Sequence, residues 1–386
     1  MKIVFLTRLY LQDVNIWSGT LSHIYQKLKE SHRVEIIGTE IFNQLSFFQS
    51  GNFPANTFIP ADRYVKPLGR LLSERINHLE CDLVFLVDFL YIPSEINIPI
   101  VLFSDMTFEQ VNTHYKKFDK RHVQSGIRLE KSALTHAFHI IYSSEWIKQK
   151  AIEFYHINPE KIEVVEFGAN IPEPTDYSVK INMDICRLVF IGKDWERKGG
   201  DKLLHIYEIL KNEGFPCTLI IIGSGKKNVD LGDPNAKVYP VLDKSRKEDL
   251  DKLCKILSES HFLVLPTTFD AFGIVFCEAS AYALPSITAN VGGVGQAVRD
   301  GKNGYLLPAD ATAYDYAKKI KDIFRNKEDY LKLRQSSRIE YETRLNWDVW
   351  GEKVNRIMVD AVRDYKQLKT KKNTTPRKME TGRKLT

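Results

Sequence analysis

The chain has 386 residues, enough for two domains of ordinary size, and its 43% hydrophobic and 27% charged residues are those of a soluble globular protein. The net charge of +6 fits a nucleotide ligand or an anionic membrane surface without requiring either, while the dispersed lysines and arginines, with no recognition motif, argue against a nucleic-acid binder. No apolar run approaches the roughly eighteen residues of a membrane span, and the N-terminal run is too short for a signal peptide. Cys81, Cys186, Cys217, Cys254 and Cys277 are scattered, with no C-x-x-C, which predicts reduced thiols and a cytoplasmic compartment.

In chain order, Ile3–Leu6 reads as a first strand. A loop then leads to Gly19, a helix over residues 20–29 and a second strand at Val34–Ile37. Residues 41–60 are aromatic without a clear period, either an acceptor-side loop or an irregular edge. Leu83–Val87 and Ile100–Phe103 fit inner parallel strands, the second followed by Ser104 and Asp105. The run HYKKFDKRH at 114–122 is either a solvated helix face or a contact for an anionic acceptor or headgroup. Helical spacing over 126–137 precedes a strand at Phe138–Tyr142, and Ser143-Ser144-Glu145-Trp146 reads as a helix cap. Ile162–Phe167 is the last strand of a first domain, and residues 171–185, with Pro172 and Pro174, read as a linker.

The pattern restarts at Arg187–Ile191, which ends in Gly192-Lys193-Asp194-Trp195-Glu196-Arg197-Lys198-Gly199. Two cations at a strand end beside a helix N-terminus form a plausible diphosphate clamp. Leu219–Ile222 precedes Gly223-Ser224-Gly225, which lacks the third glycine of the dinucleotide fingerprint. Residues 312–325, 327–342 and 347–365 are predicted helices, and the basic, polar residues 367–386 a disordered tail.

The densest signal lies between 262 and 308. Phe262–Leu265 is a buried strand, Asp270 is placed to cap a helix running from near Phe272 to about Ala283, and Pro285 stops that helix. Ser286–Ala289 is the next strand, followed by Gly292-Gly293 and a second helix near Gly295. Such a unit aims helix N-termini at the carboxyl ends of parallel strands, where an anion is stabilised. If Asp270 and Glu278 both lay on the helix they would be about 12 Å apart along its axis, suiting one extended ligand and not a single metal ion.

This stretch resembles the retaining glycosyltransferases of family four, whose mark is a Glu, seven residues, a second Glu, then A-x-A-x-G-x-P and a glycine pair. Here it reads Asp270-AFGIVFC-Glu278-ASAYALP, then Gly292-Gly293. The first acid is Asp, and Ala283 stands where the family usually has Gly. The resemblance implies an α/β GT-B fold, two Rossmann-like domains facing a cleft. The expected organisation is an acceptor-side domain over 1–170, a linker over 171–185, a nucleotide-sugar domain over 186–345, a helix over 346–366 crossing back to the first domain, and the tail.

The resemblance further implies the site. Lys193, where Arg is usual, and Lys198 hold the donor diphosphate, helped by N–H groups near Phe272, Gly273 and Ile274 and near Gly293 and Val294. Asp270 holds sugar hydroxyls and the cationic ring, and Glu278 takes the ribose. Gly19, with Ser18 and Thr20, lies under the sugar, Gly192 and Gly223 border the nucleotide, and Asp105 binds a hydroxyl, with Ser104 where relatives carry His. The reaction implied is transfer of a sugar from a nucleoside diphosphate, UDP or GDP, to a hydroxyl of a carbohydrate or glycolipid, with retention. No cofactor or metal is required: Asp249-Leu250-Asp251 lies in an amphipathic pattern that reads as a surface helix. Retaining glycosidases use two carboxylates about 5 Å apart, which the spacing here does not suit. The alternatives are a non-catalytic nucleotide-sugar-binding protein and an epimerase of the same fold. The basic tail leaves peripheral membrane contact open.

Overall fold

The computed structural model describes residues 1–7, 9, 11, 16–38, 62–87, 92–93, 95–115, 119–174, 176, 182–223 and 232–374. The aromatic stretch 41–60, Ser224 and Gly225, parts of the 114–122 run and of the linker, and residues 375–386 lie outside that set.

The N-terminal unit comprises β1 (Lys2–Leu6), α1 (Thr20–Ser31), β2 (Arg33–Ile37), α2 (Asp62–His78), β3 (Leu83–Leu86), β4 (Ile100–Ser104), α3 (Phe108–Tyr115), α4 (Lys120–His136), β5 (His139–Tyr142), α5 (Glu145–Tyr155) and β6 (Ile162–Val164). The C-terminal unit comprises β7 (Cys186–Ile191), α6 (Gly200–Asn212), β8 (Cys217–Ile222), β9 (Ala236–Tyr239), α7 (Lys247–Glu259), β10 (Phe262–Leu265), α8 (Ile274–Ala281), β11 (Ser286–Ala289), α9 (Val294–Ala297), β12 (Gly304–Leu307), α10 (Ala313–Arg325) and α11 (Lys327–Arg344). A last helix, α12 (Trp347–Thr374), follows.

Each unit carries a six-stranded sheet, in the orders β2-β1-β3-β4-β5-β6 and β12-β11-β10-β7-β8-β9. The strand pairings in both are parallel. Central strands β3, β10 and β11 are buried along their whole length, which is why their sequences are unbroken apolar or small-residue runs without alternation. In the second sheet the strand order reverses between β7 and β10. Doubly wound sheets bind ligands in the crevice outside the strand ends at such a switch point.

The units share a core. Phe167, after β6, packs edge-on against Phe272 at 5.1 Å, and Tyr282 donates to the Pro172 carbonyl at 3.0 Å. α12 crosses back to the first domain. Trp350 is fully buried edge-on to Phe85 and Phe103 (6.5 and 5.8 Å), and Lys369 donates to the Asn97 carbonyl at 2.8 Å.

Several expectations need correction. α8 begins at Ile274, with Gly273 at its N-cap in the left-handed region (φ 90), so Asp270 stands in the preceding loop and caps nothing. Only Glu278 of the two acids is on the helix, and α8 ends at Ala281; Ala283 follows with φ 51, a conformation in which glycine is at ease. α12 runs to Thr374, so residues 367–374 of the expected tail are helical. The basic run spans the junction of α3 and α4 and is not one helix face. α2 was not expected; its predecessor stretch gave no periodic signal. The D-x-D lies within α7, as read. Among the described residues no helix is long and apolar enough to cross a membrane.

Candidate functional site

The two loops that leave the switch point are stitched together before any ligand arrives. Thr268 N and Thr267 Oγ1, after β10, donate to the Arg197 carbonyl, after β7, at 2.8 and 2.9 Å. Gly199 (φ 77) lies against the Pro266 carbonyl, which any Cβ there would strike, and a Cβ on Gly200 would collide with the Trp195 indole. This packing sets Lys198 and Arg197 beside Asp270. Lys198 Nζ donates to Asp270 Oδ2 at 2.6 Å, and Arg197 Nη1 donates to Asp270 Oδ1 at 3.0 Å and to the Phe269 carbonyl at 2.9 Å. Lys198 and Asp270 are 9% and 8% exposed, so the charges are matched inside the protein and not through water. Burial pulls the Lys198 ammonium below its ordinary value, with Asp270 opposing that and Arg197 adding to it.

Glu278, 2% exposed on α8, is ion-paired with Lys244, from the loop between β9 and α7. A carboxylate in an otherwise apolar helix needs such a partner. His23 of α1 stacks on Trp347 at 5.5 Å, and its imidazole is pushed down by burial and by the charge of Lys244, which faces it.

Arg197, Lys198, Lys244, Asp270 and Glu278 line one cleft of about 410 Å3, a volume in the range of small-ligand sites. Asp105, Gly192, Lys193, Lys198, Gly223, Asp270, Phe272, Gly273, Ile274 and Glu278 all border it. Among the described residues the backbone N–H groups of Phe272, Gly273 and Ile274 have no protein acceptor, as befits the open start of α8. Gly293 and Val294 do not border the cleft, and their N–H groups are already engaged with the Asp270 and Val291 carbonyls (2.9 and 3.1 Å), so they cannot serve a diphosphate as expected. Gly293 is instead a close-approach residue, since a Cβ would strike the Ala271 carbonyl. Gly19 caps α1 in a left-handed conformation, and it is Trp17 and Ser18 beside it that reach the cleft.

Trp17, Tyr115 and Phe167 line the N-terminal wall, and an aromatic cluster lies behind Tyr115. Phe269, next to Asp270, stacks on His114 at 3.4 Å and meets Trp146 and Tyr115 edge-on at 5.6 and 6.3 Å. The Arg197 guanidinium sits 5.8 Å from the Tyr115 ring centre. Asp105, at the end of β4, accepts from Trp17 Nε1 at 2.5 Å. Burial pushes its carboxyl up to about 6; the Trp17 hydrogen bond opposes the rise and the Asp270 charge adds to it.

Trp17, Tyr115, Arg197 and Lys244 were not singled out from sequence. Arg197 stands beside Lys198 inside the quoted loop, and that adjacency was the available signal; Tyr115 lies in the 114–122 run, and Trp17 and Lys244 fall in stretches with no motif.

Residues 178–340 match the family described as glycosyl transferases group 1. A D-inositol 3-phosphate glycosyltransferase from Streptomyces bingchenggensis is 26% identical over 251 residues, 60% of this chain and 54% of that protein. The chain thus spans about half the length of the curated relatives it matches. Among solved structures, a glycosyltransferase from Rickettsia africae superposes with a TM-score of 0.64 at 15% identity, covering 94% of this chain and 98% of that one. Anabaena HepE in complex with UDP gives 0.62 at 15%, covering 93% and 100%. At these identities the structures speak for the fold, which is GT-B. The similarity to the group 1 glycosyl transferases thus lies within the C-terminal unit.

Proposed function

We propose that the protein is a retaining, metal-independent glycosyltransferase that moves a sugar from a nucleoside diphosphate to a hydroxyl of a carbohydrate or glycolipid. The observation that carries the reading is the triad of buried Lys198 and Asp270 with half-buried Arg197 at the strand-order switch point, in one cleft with Lys193 and Glu278. HepE has been solved with UDP and with UDP-glucose, which makes UDP the first donor nucleotide to test here.

In this reading the sugar leaves as an oxocarbenium-like species while negative charge grows on the diphosphate. Lys193 and Lys198 meet that charge, with the N–H groups of Phe272, Gly273 and Ile274. Asp270, held on both oxygens, is a fixed acceptor for sugar hydroxyls and a negative charge near the ring. Glu278 accepts from the ribose hydroxyls, and Asp105 from a hydroxyl on the N-terminal side. The acceptor's proton passes to the departing phosphate on the same face, which yields retention without a protein nucleophile.

The test is release of free nucleoside diphosphate from a panel of UDP-, GDP- and ADP-sugars in EDTA, with candidate acceptors present, alongside Glu278→Ala and Lys198→Ala. Release from one donor that both variants lose supports the reading. Silence across the panel, with no thermal shift by any nucleotide, rules out the donor site drawn here, and binding without release favours a nucleotide-sugar-binding protein.

A further inference from the structure

The chain enters the cleft before α1 in a conformation that L-residues seldom adopt. Trp17 (φ 53, ψ 33) and Ser18 (φ 56, ψ 26) are both left-handed, and Gly19 (φ 87) continues the turn. Of the three only the glycine is suited to that region, so the surrounding contacts must hold the turn in place. Asn170 Nδ2 donates to the Ser18 carbonyl at 3.0 Å and to Thr20 Oγ1 at 2.9 Å, while Asn170 Oδ1 accepts from Trp347 Nε1 at 3.2 Å. The Trp17 indole packs edge-on to Phe103 and Phe167 at 6.0 and 5.9 Å, which leaves its N–H directed at Asp105 Oδ2, 2.5 Å away.

Asp105 has no cationic partner of its own among the described residues. Asp270 faces it from the other domain and Tyr115 from α3, and the nearby Arg197 and Lys198 are bonded to Asp270. Trp17 is therefore the side chain that holds this acid.

We propose that Trp17 is a positioning residue for Asp105: its indole N–H fixes the carboxylate at the cleft wall and favours the charged form, ready to accept a sugar hydroxyl. The last clause rests on the transferase reading; the linkage between Trp17 and Asp105 does not. Burial already lifts Asp105 to about 6, so loss of the indole N–H moves it higher still.

The experiment needs no donor to begin. In protein labelled with 15N-tryptophan, the five indole N–H signals are recorded against pH, and Trp17→Phe identifies the signal of Trp17. That signal should titrate with a midpoint near pH 6 and stand still in Asp105→Asn. A signal that does not move between about pH 4.5 and 8, or moves equally in Asp105→Asn, overturns the proposal. The remaining indole signals, unchanged in Trp17→Phe, show that the variant is folded. On the donor the screen returns, the acid limb of kcat/KM should move up by about one pH unit in Trp17→Phe, an effect a purely structural role would not produce. An unmoved limb overturns the positioning role. An intact indole titration with a silent donor screen counts against the transferase reading and leaves the linkage standing.

Discussion

On the C-terminal side of the cleft, Asp270 and Glu278 are each matched to cations, Lys198 with Arg197 in one case and Lys244 in the other. On the N-terminal side, Asp105 and Glu130 are held by neutral donors: the Trp17 indole for Asp105, and for Glu130 the backbone N–H of Phe108 at 2.7 Å. Burial accordingly lifts Asp105 to about 6 and Glu130 to about 8. The same residue type thus does different work in the two domains. The acids of the C-terminal side sit in ion pairs, those of the N-terminal side in hydrogen bonds to uncharged groups. Acids with neutral partners retain the ability to take a proton, and Glu130 uses its lone pairs to hold the start of α3, which carries Tyr115 to the cleft.

That contrast can be broken most severely at Lys198. Lys198→Ala leaves Asp270 with Arg197 alone and, in the proposed reaction, removes a cation from the leaving group; turnover should fall by about 10²–10³-fold, read as nucleoside diphosphate release. Lys244→Met leaves the Glu278 carboxylate buried without its partner and should cost about 1–3 kcal/mol, read as a lower melting temperature. An unchanged melting temperature would mean the pair does not sustain that carboxylate. Glu130 sharpens the other side. Its native value of about 8 lies above the ordinary carboxylate value of 4.5, so between those pH values the native state binds more protons than the unfolded one. Stability should therefore fall as pH rises from about 5 to 8, and Glu130→Gln should flatten that fall. Asp251→Asn, on the exposed face of α7 and outside the cleft, should leave turnover in EDTA and stability unchanged to within about 0.5 kcal/mol.

The parts legible in sequence were those where backbone and side chain obey one short rule. The inner strands of both sheets were visible as apolar runs because both faces are covered, whereas the edge strands β9 and β12 were not read. Asp270, Glu278 and Lys198 were nominated by the resemblance of their stretches to a family motif. What was hidden depends on contacts between distant segments. Asp270 looked like a cap because acids precede helices, yet Gly273 starts α8 and the carboxylate is turned to two cations from another loop. Lys244 and Trp17 lie in unpatterned loops, and nothing local shows that one faces an acid on α8 and the other an acid after β4. Residues 367–374 look like a tail because lysine-rich segments have a solvated composition, whereas the helix continues from a segment anchored by Trp350 and still contacts the first domain through Lys369.

The return of α12 to the first domain also orders events during synthesis. Phe85 and Phe103 emerge early from the ribosome, but Trp350, which covers them, is translated only after the whole second domain. The nascent first domain therefore waits with part of its aromatic core uncovered while the second, whose sheet is contiguous in sequence, completes itself. The last helix then closes the first domain and joins it to its partner, so that the second domain is finished before the first acquires its final shape.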